Sequence, residues 1–116
     1  MDDDFAERQA LLLAMEADWA GVWEVLWALN TARPKLSVGE RERLATNALR
    51  HLHELGYITF VRAPWPGPTD RGEHKALSGE DIDLALDDQG WRQDPPTADV
   101  WFSVTDEGEA AFLAGI

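Results

Sequence analysis

Arg43, Asn47 and Arg50 carry the side chains of this 116-residue chain best suited to reading a nucleic acid. A guanidinium meets guanine, and a carboxamide meets adenine, through paired hydrogen bonds in the major groove. On a helical wheel of about 100° per residue these three fall on one side together with Glu54, flanked by Thr46. The same stripe also reads as an ordinary solvated helix face tied by an Arg50–Glu54 pair at i, i+4. At the level of sequence both readings stay open. His51 and His53 invite a metal, but two positions apart on a helix they point about 160° away from each other and cannot chelate one ion from that element. The acids Asp81, Asp83, Asp87 and Asp88 lack the alternating oxygen ligands, the glycine at the sixth position and the closing glutamate of a calcium loop, so they read as a solvated acidic face. No glycine-rich phosphate loop follows a strand and no G-x-S-x-G elbow is present, so the chain is expected to be no enzyme and to use no cofactor or metal.

The elements that must position these residues are most legible between Ser37 and Arg62, S-V-G-E-R-E-R-L-A-T-N-A-L-R-H-L-H-E-L-G-Y-I-T-F-V-R. Ser37 and Glu40 have the S-x-x-E spacing of a capping box, which starts a helix. Leu44, Ala45, Ala48, Leu49, Leu52 and Leu55 supply its apolar face, and Gly56 stands where a left-handed residue ends it. Tyr57 to Val61 is β-branched and aromatic and predicts a strand directly after the glycine. Upstream, the spacing predicts a helix from Phe5 to about Glu16 and a second stretch to Asn30, with a break near Asp18. Leu12, Met15, Trp19, Val22, Trp23, Leu26 and Trp27 read as one apolar face across that break. Trp19, Trp23 and Trp27 stand at i, i+4, i+8; each ring can bury about 150 to 250 Å². They are expected in the core, and a ring left at the surface is expected to be Trp19 or Trp23.

Thr31 to Leu36 contains Pro34 and reads as a connector. Residues 62 to 75 form a mildly basic loop rich in proline and glycine that holds Trp65, Arg71, His74 and Lys75. Ser78 predicts a short helix over about Gly79 to Asp88 that buries Ile82, Ala85 and Leu86. Gly90 to Ala98, with Trp91 and the Pro95-Pro96 pair, is a further connector. Val100 to Val104 predicts a second strand, and Thr105 caps a last helix from Asp106 to about Ala114 with Ala110, Phe112 and Leu113 packed inward. The chain is therefore expected to be a single α+β domain, mainly helical with a small antiparallel β-hairpin. Its parts are a helical segment 5–30, a helix–strand unit 37–62, an extended loop with its own helix 63–98, and a strand–helix end 99–114.

A composition 45 % hydrophobic and 28 % charged is that of a globular domain rather than a disordered one. There are no cysteines, which excludes disulfides and thiolate metal sites. No apolar run approaches about 18 residues and the first residues, M-D-D-D, have the wrong sign for a signal peptide, so a soluble cytoplasmic protein off the membrane is expected. The formal net charge of -12 is uneven. Residues 1–30 hold seven acids and one base, residues 31–75 eight bases and five acids, and residues 76–116 one base and ten acids. A basic middle between acidic flanks could meet phosphate only locally, within a Debye length of about 8 Å.

The order helix, helix, strand, strand, helix, with H-L-H-E-L-G-Y-I-T-F-V-R and later V-W-F-S-V-T-D-E-G-E-A-A-F-L-A, resembles the winged helix-turn-helix proteins of bacteria over about Trp19 to Ala114. In that family a recognition helix ends at a glycine, a wing strand follows at once, and the second wing strand runs into a threonine-capped helix. The resemblance is to a divergent member with a shortened helix-turn-helix and a long insertion in the wing. It implies that Arg43, Thr46, Asn47 and Arg50 match base-facing positions and that Arg62, Arg71 and Lys75 match the wing. Two functions follow as expectations. The first is a non-enzymatic protein-interaction module, such as a regulator or an antitoxin-like or immunity-like factor, whose acidic flanks and aromatic anchors, Trp65 of the Pro-Trp-Pro loop among them, meet a basic protein partner. The alternative is a regulator of transcription that binds double-stranded DNA. A homodimer pairing the N-terminal helices would serve either.

Overall fold

The computed structural model describes residues 4–63, 76–87 and 100–115. It contains α1 (Phe5–Ala17), β1 (Ala20–Gly21), α2 (Val22–Ala32), α3 (Val38–Glu54), β2 (Ile58–Arg62), α4 (Gly79–Asp87), β3 (Val100–Val104) and α5 (Asp106–Leu113). The α+β architecture is mainly helical with one small antiparallel sheet, and no helix among the described residues is long and apolar enough to cross a membrane.

Both ends of α3 are closed by the residues that mark them in the sequence. The Ser37 hydroxyl accepts from the Glu40 N–H at 3.1 Å while the Glu40 carboxylate accepts from the Ser37 N–H at 3.0 Å. At the other end Gly56 adopts φ 77°, the Gly56 N–H donates to the His53 carbonyl at 3.0 Å and the Tyr57 N–H to the Leu52 carbonyl at 2.9 Å. That pair of bonds satisfies carbonyls the helix end would otherwise orphan, and it turns the chain straight into β2.

The sheet has the order β1-β3-β2. β2 pairs with β3 antiparallel from Ile58↔Val104 to Arg62↔Val100, which is the expected pair of strands. The sequence reading missed β1, whose Ala20 and Gly21 pair with Phe102 and Trp101 on the other side of β3. Two residues are too short to show a period of two, so nothing in the local sequence marks this strand. As the central strand, β3 buries Val100, Trp101 and Phe102 in succession. Residues opposite one another in an antiparallel pair share a face. Ala20, Phe60 and Phe102 thus line one side, where the Phe60 ring lies 5.7 Å from that of His53 on α3. Gly21, Val61 and Trp101 line the other. There the Trp23 indole stands edge-on to Trp101 at 4.9 Å, and the Trp101 indole N–H donates to the buried Ala63 carbonyl at 2.9 Å. Gly21 is required at its position, because a Cβ there would fall into the Trp23 ring.

The break expected near Asp18 is present. Asp18 at φ 62°, ψ -50° is the centre of a γ-turn closed by the Trp19 N–H donating to the Ala17 carbonyl at 2.6 Å. This splits the N-terminal segment into two helices, so α2 is a separate helix joined to α3 by residues 33–37. The buried face of α1 is also not the one read from the sequence. Ala6, Ala10, Leu11 and Ala14 are buried, while Leu12 and Met15 are only half-buried. A row of alanines at i, i+4, i+8 leaves room for close neighbours, and α1 packs against α2, α3, α5 and β3. Of Trp19, Trp23 and Trp27, Trp23 is 3 % exposed, Trp19 is half-buried and packed on the core, and Trp27 is the exposed one at 43 %, against the expectation of Trp19 or Trp23. Trp27 is four residues past Trp23, and the buried arc of α2, Val22, Trp23, Val25, Leu26 and Leu29, leaves it at the rim.

α4 buries Ile82, Ala85 and Leu86 as expected, and the Leu77 N–H just before it donates to the Phe60 carbonyl at 2.8 Å on the outer edge of β2. At α5 the Thr105 hydroxyl accepts from the Gly108 N–H at 3.1 Å and donates to the Gly56 carbonyl at 2.7 Å, and the Thr105 N–H donates to the Tyr57 carbonyl at 2.9 Å. Gly108 sits so close to the Tyr57 carbonyl that a Cβ would collide with it. The L-G-Y and T-x-x-G motifs, far apart in sequence, therefore lock together in space. The expectation that α5 packs Ala110, Phe112 and Leu113 inward holds for Phe112 alone, since Ala110 is exposed and Leu113 is 71 % exposed. So short a helix turns only part of its surface to α1 and β3.

Candidate functional site

Helix α3 is the platform on which the candidate residues sit. Its buried face, Ala45, Ala48, Leu49 and Leu52, fixes its rotation against α1 and α2. A helix held this way presents the opposite side to solvent. Arg43 and Asn47 are exposed there, Arg50 is half-exposed, and Glu54 is exposed at the C-terminal end. Thr46, read as flanking this stripe, is 8 % exposed. It stands about 100° round from Ala45, on the flank shared with Arg50 and His53, and is covered rather than presented. Arg62 is exposed at the end of β2. Trp65, Arg71 and Lys75 lie outside the described residues, as do Trp91 and the connector 90–98.

The two histidines diverge as the wheel requires. His51 is exposed, and its Nδ1 pairs with the Glu7 carboxylate of α1. His53 turns towards Phe60. Among the described residues no group of three or more histidines and carboxylates is placed to hold a metal ion.

What the sequence did not reveal is the partner of Arg50. Its Nε lies 3.2 Å from a carboxylate oxygen of Asp83 on α4, rather than in an i, i+4 pair with Glu54. Arg50, His53 and Glu54 of α3 face Gly79, Ile82, Asp83 and Asp87 of α4 across a cleft of about 570 Å³. The apolar period of α4 foretells that Asp83 points away from Ile82's neighbours in the core, but nothing in a one-dimensional pattern says which helix it meets. The pair is mostly solvated, with side-chain exposures of 37 % and 62 %, so its worth is in local charge rather than binding energy. Among the described residues lining this cleft, three carboxylates, Glu54, Asp83 and Asp87, surround one guanidinium. At the opposite end of the stripe the Glu40 carboxyl is held below the usual carboxylate range, first by the Ser37 backbone N–H, then by the Ser37 side chain, with a smaller contribution from Arg43.

Positive charge on α3 is therefore confined to Arg43 and its surroundings, and it is cancelled in the C-terminal half. On the outer side of α4, Leu84 is 64 % exposed among Glu80, Asp81 and Asp87, which stand four, three and three residues from it. Such an apolar side chain ringed by carboxylates is chemically suited to a surface carrying both lysine or arginine and an apolar anchor. The chain matches no protein-family model, no curated protein and no solved structure.

Proposed function

We propose that this chain is a small, acidic, non-enzymatic binding and regulatory protein that uses a winged-helix-like scaffold to hold a protein partner with a basic surface, acting in the cytoplasm. The scaffold reading is supported by the order α1-β1-α2-α3-β2-β3, by the sheet order β1-β3-β2, and by the interlocked Gly56 and Thr105 ends. The observation that carries the choice of partner is the Asp83 carboxylate on Arg50. A polyanion laid along α3 would meet Glu54, Asp83 and Asp87 where it needs cations, whereas a basic protein meets carboxylates there.

The second reading, a winged-helix regulator that binds double-stranded DNA, is favoured by the exposure of Arg43 and Asn47 on one helix face and of Arg62 at the end of β2. One experiment separates the two. The immobilised protein is incubated with lysate of its source cells, captured proteins are identified by mass spectrometry, and binding to a random DNA duplex is measured in parallel. The expected outcome is a basic protein that is retained by the wild type and lost when Glu80, Asp81, Asp83 and Asp87 are all changed to lysine. Wild-type retention of the duplex that falls steeply with salt and disappears in Arg43→Ala would overturn it in favour of DNA.

A further inference from the structure

The acids of α4 do more to α3 than decorate its neighbourhood. Ile82, Ala85 and Leu86 are buried, so α4 is seated on the domain by apolar packing rather than by its charges. That seating aims Asp83 at Arg50 and places Asp87 on the same cleft. Arg50 is the C-terminal base of the outward face of α3, with Arg43 and Asn47 two and one turns towards the N-terminus. A carboxylate this close to a guanidinium offsets the positive charge that would draw a phosphate.

We infer that α4 is a built-in counter-charge to the α3 face, an internal acidic segment that excludes phosphate-bearing polyanions from Arg43, Asn47 and Arg50. This inference stands on the Arg50–Asp83 geometry and holds whether or not a basic protein is the partner. Because the acids act by local field, removing them acts on polyanion affinity without disturbing the core. Duplex nucleic acid is the polyanion that matches a helix face bearing arginine and asparagine.

The test compares variants of equal net charge. In one, Glu80→Gln, Asp81→Asn, Asp83→Asn and Asp87→Asn neutralise α4. In the other, Glu16→Gln, Asp106→Asn, Glu107→Gln and Glu109→Gln remove four exposed carboxylates elsewhere. Affinity for a fluorescent random-sequence DNA duplex is read by anisotropy at about 50 mM salt, and thermal unfolding of each variant is followed by circular dichroism. The α4 variant is expected to bind at least roughly tenfold tighter than the wild type, with a steeper salt dependence. The control is expected to stay near the wild type, and adding Arg50→Ala to the α4 variant is expected to abolish the gain. Equal gains in both four-site variants would reduce the effect to overall charge and overturn the inference. So would no gain in a folded α4 variant, or a gain that survives Arg50→Ala. Should the α4 variant unfold, the single change Asp83→Asn carries the same comparison with a smaller expected gain, and its failure to gain would equally overturn it.

Discussion

In α3, from Val38 to Glu54, each end is closed by bonds to residues a few positions away. From Phe5 to Ala32 the boundaries depend in part on residues that the chain reaches only after folding. α3 starts on the Ser37–Glu40 box and ends on the Gly56 turn, both within reach along the sequence. α1 also ends at a local turn, but β1 exists only because β3 arrives beside it, and the Gly21–Trp23 step is shaped by Trp101 from the far end of the chain. One local bond does help, since the Glu24 carboxylate accepts from the Gly21 N–H at 2.6 Å at the start of α2. The difference teaches where stability is vulnerable. The first unit should lose modest, local amounts when a cap is removed, and the second should lose more when space is taken away.

The sharpest way to break this comparison is Ala10→Leu. Ala10 is fully buried on the face that α1 turns to its neighbours, so three added carbons have no free volume. A loss of about 3 kcal/mol is expected in chemical denaturation; a neutral result would mean that α1 is loosely packed and the contrast false. Next is Gly21→Ala, whose Cβ must displace the Trp23 indole from its place beside Trp101. About 2 kcal/mol should be lost, with a change in the near-ultraviolet signal of the paired tryptophans as the check. The smallest effect belongs to the local unit, where Ser37→Ala should cost about 1 kcal/mol. The pH dependence of that cap has a definite sign. Glu40 has a carboxyl pKa lowered by folding, so its stabilising contribution is present above the ordinary carboxylate pKa and is lost as pH falls through the lowered value. The stability gap between wild type and Glu40→Ala should therefore be open at neutral pH and narrow on acidification, as denaturation midpoints measured across that range would reveal.

The same division explains what was readable of the candidate site. Arg43, Asn47 and Arg50 could be placed on one face because Leu49, Leu52 and the two caps fix both the extent and the rotation of α3. Thr46 was misplaced because a position about 100° from the buried centre is exposed or covered according to its neighbours, which the wheel does not contain. Trp27 was misjudged for a related reason, since three rings at helical spacing share a stripe whose width is set by the surface it packs on.

Sequence alone was enough for the elements governed by short-range chemistry. The capping box, the glycine stop, the β-branched runs of β2 and β3 and the apolar period of α4 all act over a handful of residues, and their ends fall within a residue or two of where composition puts them. Tertiary structure alone decided the third strand, the alanine face of α1, the lock between Thr105 and Gly56, and the meeting of Asp83 with Arg50. Those features join residues distant along the chain, and a pairing between distant groups is set by how apolar faces stack, which no local spacing encodes.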